Sequence, residues 1–182
     1  MFGWQLSRFP ASAKIFCTLY LLGIGCGALA AFTQAATAVG LSPGEVQASL
    51  APEMPMTAMG HGQMSAEKEI DISQVSSSAK VWIRTPLLIQ TSHTHLFGQT
   101  LIAGLLGLIF LFSSLGEWKK ATILALPFVG TIIDIGGMWL TRFVWPPLAV
   151  LVIAGGTLFA LGYALITVIS LYELWLRKEA RA

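Results

Sequence analysis

Four apolar tracts, each long enough to cross a bilayer, set the terms for this chain: residues 15–39, 93–115, 121–140 and 146–176. The hydrocarbon core is about 30 Å thick, and roughly 20 helical residues cover it. In lipid every backbone polar group must be satisfied within a helix or a closed barrel. These tracts lack the two-residue alternation of barrel strands. The reading is an all-α membrane protein with four transmembrane helices and one outer, periplasmic loop between the first two. Composition agrees. Only 11% of the 182 residues are charged and 55% are hydrophobic, where a soluble domain carries about a quarter charged. A soluble globular enzyme is excluded by the shortage of polar surface, and a disordered chain by the apolar content.

Charge placement orients the helices. With residues 1–14 and 177–182 in the cytoplasm, the inner side holds Arg8, Lys14, Lys119, Lys120, Arg177, Lys178 and Arg181, and the outer side Lys68, Lys80, Arg84 and Arg142. Basic residues favour the cytoplasmic face, so both termini are expected inside a bacterial inner membrane. Trp118, Tyr172 and Trp175 then fall at the inner interface and Trp139 and Trp145 at the outer one, as an aromatic belt requires. Ala28-Leu29-Ala30 before Ala31 also fits a signal-peptide cleavage site, but the apolar run exceeds the usual length of about 7–15 residues, which favours a retained helix. Either way residues 40–92 lie outside. Cys17 and Cys26, both in the first tract, read as core thiols in lipid.

Small residues mark expected helix contacts: Gly156, Ala160 and Ala164 in the fourth tract, Ala103 and Gly107 in the second. In the outer loop, Ser42-Pro43-Gly44-Glu45 spells an N-cap, a proline in the first turn and a capping-box glutamate. A short helix through Leu50 is expected, then irregular chain from Ala51 to Ser65, the loop as a whole lying against the membrane surface.

Three features stand above the apolar background. The first is Ser92-His93-Thr94-His95, read as an N-cap followed by two histidines in the first turn of the second helix. Two residues on a helix differ by about 200°, so one ring, His95, is expected to face the bundle with Gln99 one turn deeper. The second is Asp134, the single acid well inside an apolar tract. A carboxylate at that depth costs a few kcal/mol, so it should face the interior beside a partner. Pro127, Thr131, Asp134, Met138 and Thr141 follow helical steps on one face, and a contact between His95 and Asp134, direct or through water, is the sharpest expectation. A cofactor site or polar cluster of His93, His95, Gln99, Asp134 and Met138 competes here with plain helix-to-helix hydrogen bonding. The third is Met54, Met56, Met59, His61 and Met64 in the outer loop. Thioethers and imidazole suit Cu(I), so copper binding there competes with methionine as flexible apolar filler. There is no P-loop, HExxH, GxSxG or dinucleotide fingerprint, and no basic surface for nucleic acid.

The stretches Ser92–Gly98, Leu126–Phe128, Asp134–Gly136, Trp139–Thr141, Pro146-Pro147, Gly155-Gly156 and Leu171–Trp175 resemble those of a family of bacterial inner-membrane proteins with four helices and an outer loop. The likeness covers about the last 90 residues well and the first half loosely. Many members carry a CxxCH haem-c motif in that loop, which implies electron transfer on the outer face. This loop has no cysteine, so covalent haem is excluded here. The resemblance carries over His93, His95 and Asp134 as matching positions without assigning them a role. Haem b held by His95 and Met138 is a conceivable arrangement. The first expectation is thus an accessory or subunit of outer-face redox chemistry, its His/Asp cluster meeting a cofactor, a quinone or a partner cytochrome or other respiratory membrane protein. The alternatives are copper handling by the Met/His loop and a structural scaffold in the lipid bilayer. No catalytic motif marks the chain as an enzyme.

Overall fold

The computed structural model of the chain describes residues 5–51 and 83–177, and within them every regular element is helical. In chain order these are α1 (Ala11–Ala38), the short α2 (Pro43–Leu50), α3 (Thr85–Phe110), α4 (Glu117–Phe143) and α5 (Ala149–Trp175), with 3-10 turns at Leu6–Arg8 and Pro146–Leu148. Helices α1, α3, α4 and α5 are each long and apolar enough to span a membrane, the turn before α5 extending that span. The chain is a multi-pass membrane protein in contact with the lipid bilayer. Leu6 donates its amide to the Phe112 carbonyl at 3.0 Å and shares a buried cluster with Cys17 and Leu174. The first and last described turns and the α3–α4 connection therefore meet at one end of the bundle, the terminal end. Helix α2 and the start of α3 lie at the other, the loop end.

Helices α4 and α5 form the tightest pair, and glycine is the reason. A Cβ on Gly130 would sit 2.5 Å from the Phe159 amide nitrogen, one on Gly137 2.8 Å from that of Val152, and one on Gly162 2.5 Å from the Pro127 ring. Backbones this close gain dispersion contact that side chains would block. The expected stripe of Gly156, Ala160 and Ala164 is not the one used. Gly156 has open space where its side chain would be, and both alanines are exposed. The seam instead pairs Gly155 and Gly162 with the α4 face that carries Pro127, Gly130, Asp134 and Gly137, because the proline ring faces Gly162 and the α4 backbone at Gly130 and Asp134 approaches Gly155 too closely for a side chain. On α3 the expected small pair does pack: Ala103 and Gly107 are buried, Gly107 against Leu124.

Helix α1 is held along its first half. Leu21 joins Leu106, Phe110 and Ile166 in the central apolar cluster, Tyr163 donates to the Leu21 carbonyl at 3.1 Å, and the Trp175 indole donates to Thr18 Oγ1 at 2.9 Å. Beyond that, Cys26, Leu29 and Phe32 are exposed on the lipid-facing surface.

The helix edges differ from the sequence reading. Helix α3 begins at Thr85, eight residues before His93, with proline in its first turn and Arg84 as N-cap. Ser92 is therefore no cap, and His93 and His95 sit in the third turn. The polar run of residues 90–95 looked like an aqueous boundary but lies within the helix, where Thr94 donates to the Gln90 carbonyl at 2.8 Å and Ser92 accepts from Trp139 of α4. The same helix stops at Phe110, short of 115, while α1 starts earlier and α4 runs longer than the apolar tracts alone suggest.

The capping box at α2 is present, with Ser42 accepting from the Glu45 amide at 3.3 Å and Glu45 accepting from the Ser42 amide at 3.1 Å. The preceding Gly40 adopts φ +101°, and its amide bonds back to the Ala35 carbonyl, closing α1. This part of the loop packs on the helical bundle itself. Val46 and Leu50 are buried with Ile83, Leu88 and Ala149 on the loop end of the bundle, since two apolar side chains on a short helix find more cover there.

Candidate functional site

Ser92, His95 and Gln99 of α3 and Asp134 and Trp139 of α4 lie where the two helices cross. Period and antiparallel direction set the levels. Nearest the loop end, the Trp139 indole donates to Ser92 Oγ at 2.8 Å. One turn deeper, His95 Nδ1 lies 3.9 Å from Asp134 Oδ2. A turn below that on α3 is Gln99. The carboxylate is 8% exposed, while the His95 side chain is 43% exposed. His95 thus presents part of its ring to the bundle surface and turns one nitrogen inward. That nitrogen and Gln99 Oε1 are buried with no hydrogen-bond partner. At 3.9 Å the His95–Asp134 pair is within ion-pair reach but beyond a hydrogen bond.

Not every residue named from sequence enters this cluster. His93 is exposed, its ring 4.9 Å from that of Phe97 one turn on, because two residues of helix turn it away from His95. Met138 shares the Asp134 face but packs into the apolar cluster of Val46, Leu50, Ile83 and Leu88. A haem b held between two side chains would need both of them turned toward it. Of the sequence's possible pairs, His93 points elsewhere and the Met138 thioether is engaged in packing, so these residues do not fit a haem b between them. Among the described residues no three His, Cys, Asp or Glu side chains converge to hold a metal ion. Met54, Met56, Met59, His61 and Met64 lie outside the described residues.

Two buried charges escaped the sequence reading, and both are anchors. Arg142, counted there only as an outer basic residue, is 6% exposed. Its guanidinium donates to the carbonyls of Leu50 (3.3 Å), Ala51 (2.8 Å) and Ile83 (2.8 Å) and to Thr85 Oγ1 (3.1 Å). Both strands of chain at the loop base are gripped by one side chain. Glu173, 3% exposed, does the same at the terminal end. It accepts the Ser114 amide at 2.9 Å, the Ser114 hydroxyl, and Arg177 at 3.1 Å. A carboxylate four residues before an arginine at the end of an apolar tract was a usable signal for Glu173; Arg142 gave none, since its partners are distant in sequence.

The family model Aq_1264_TM, a transmembrane helical domain, matches residues 84–181. The chain belongs to this family. The transmembrane helical domain takes in α3, α4 and α5, with His95, Gln99, Asp134, Arg142 and Glu173, and leaves α1 and α2 outside. The stretches Ser92–Gly98 and Asp134–Thr141 fall within it. No curated protein and no solved structure matches the chain.

Proposed function

We propose that this transmembrane helical domain protein serves electron transfer at the outer face of a bacterial inner membrane, as an accessory or subunit whose His95–Gln99–Asp134 cluster receives the head group of a lipid-soluble quinone. The observation that carries the reading is the pair of buried, unpartnered atoms, His95 Nδ1 and Gln99 Oε1, beside Asp134 Oδ2. In hydrocarbon an unsatisfied polar group is costly, so such a constellation suits a guest that supplies hydrogen bonds. A quinone carbonyl accepts from an imidazole N–H, and a quinol hydroxyl donates to a carboxylate or amide oxygen. Histidine and aspartate are side chains that take up and release the protons exchanged in quinone chemistry. The partly exposed His95 ring opens the cluster toward lipid, where such a molecule resides. Electrons pass to or from a partner cytochrome or other respiratory membrane protein. The excess of basic residues at the terminal end supports both termini in the cytoplasm.

The test is quinone content. Protein solubilised in mild detergent is extracted with organic solvent, and quinone per mole of chain is measured for wild type, His95→Ala and Asp134→Asn. Wild type is expected to retain quinone and each variant about 10-fold less, the loss of a charge-assisted or buried hydrogen bond. Wild type without quinone, or retention equal in all three, overturns the reading and favours a structural role.

A further inference from the structure

A groove of about 430 Å³ opens at the terminal end, lined by Leu115, Trp118, Lys119, Thr122 and Ile123 around the start of α4 and by Ile169 of α5. Its walls are mainly aliphatic, and Thr122 adds no spare donor because its hydroxyl bonds the Trp118 carbonyl at 2.9 Å. Trp118 on the rim is 88% exposed. Tryptophan is enriched at the head-group level of membranes, and α4 begins its span at Glu117, which sets this rim at the interface. The neighbouring Lys120 is already engaged, with Glu117 at 3.0 Å and the Leu111 carbonyl at 3.3 Å. Lys119 is the cation that lines the groove itself.

We propose that this groove binds one anionic phospholipid, an acyl chain lying along Ile123 and Ile169 and the phosphate resting at the Lys119 ammonium. The bilayer is the medium on this face of the protein, so lipid is the available occupant, and the charge selects among lipids. A partner's transmembrane helix would meet an ammonium where it needs an apolar or small-residue surface. Basic residues at the cytoplasmic interface attract anionic lipid in the same way. The site is separate from the His95–Asp134 cluster and stands or falls without it.

Native mass spectrometry of the full chain, released from detergent after titration with phosphatidylglycerol or phosphatidylcholine of matched acyl chains, tests the site. One phosphatidylglycerol per chain is expected to be retained at least about 5-fold more than phosphatidylcholine, a preference abolished by Lys119→Glu and kept by Lys119→Arg. Ile169→Trp, which fills the floor of the groove, should lower retention of both lipids. Equal retention of the two lipids by wild type, or an unchanged preference in Lys119→Glu, overturns the proposal. Loss of preference in Lys120→Glu but not in Lys119→Glu also overturns it.

Discussion

Gly155 and Asp134 meet backbone to backbone. A Cβ added to Gly155 would fall on the Asp134 amide nitrogen and Cα and 2.7 Å from the Gly130 carbonyl oxygen, whereas one added to the adjacent Gly156 would meet nothing within 4 Å. Gly155→Ala is therefore expected to push α4 and α5 apart at the level of the carboxylate, a destabilisation of about 1–3 kcal/mol typical of overpacking. Gly156→Ala should be nearly silent. Thermal unfolding of the two variants in the same detergent separates them, and equal behaviour would contradict a seam that runs through Gly155.

That neighbouring pair also shows where the sequence stops being legible. The four spans could be read because a bilayer demands long apolar runs, and α2 because a capping box is written within four consecutive residues. The proximity of His95 to Asp134 could be read because helical period and one isolated acid leave few arrangements. The choice between Gly155 and Gly156 could not, since it is made by the backbone of Gly130 and Asp134 on another helix. The start of α3 was hidden because Ser92 and Thr94 look like water-facing residues until their bonds to Trp139 and the Gln90 carbonyl are seen. Arg142 shows the limit most plainly: its carbonyl partners are brought to it only by the finished fold.

Arg142 should control the loop end. Arg142→Met keeps much of the side-chain volume but leaves the carbonyls of Leu50, Ala51 and Ile83 without their guanidinium. Removing one partner of buried polar groups costs roughly 1–3 kcal/mol per group left unsatisfied. Hydrogen exchange is expected to rise in Pro43–Leu50 and around Thr85 while α5 near Ile166 stays protected. Unchanged protection of α2 would show that Val46 and Leu50 alone hold it in place.

Glu173 should control the opposite end, and more strongly than its arginine. The carboxylate accepts both donors of Ser114, fixing the α3–α4 turn, and Arg177 adds to it from a half-exposed position. Glu173→Gln retains one acceptor oxygen and loses the charge, so a loss of about 1.5–3 kcal/mol is expected, as for hydrogen bonds to charged groups. Arg177→Gln should cost no more than about 1 kcal/mol, the range of exposed ion pairs. Denaturation midpoints for the two variants check the order. A larger effect from Arg177→Gln would mean that the ion pair, and not the turn, is the main bond.

The two crossings between α3 and α4 differ in kind, and a pair of double-mutant cycles should reveal it. Ser92 and Trp139 make a complete hydrogen bond at 2.8 Å. Their cycle, Ser92→Ala against Trp139→Phe, is expected to give a favourable coupling of about 0.5–1.5 kcal/mol, the size found between membrane helices. His95 and Asp134 approach to 3.9 Å without completing one. For His95→Ala against Asp134→Asn the coupling in empty detergent micelles should be smaller than for the first pair. Adding a quinone should raise it if that molecule bridges the two side chains. Unfolding free energies for each set of four proteins, with and without quinone, supply the numbers. A coupling at His95–Asp134 that already equals that of Ser92–Trp139 without quinone, and does not grow with it, would make this contact a simple brace between helices.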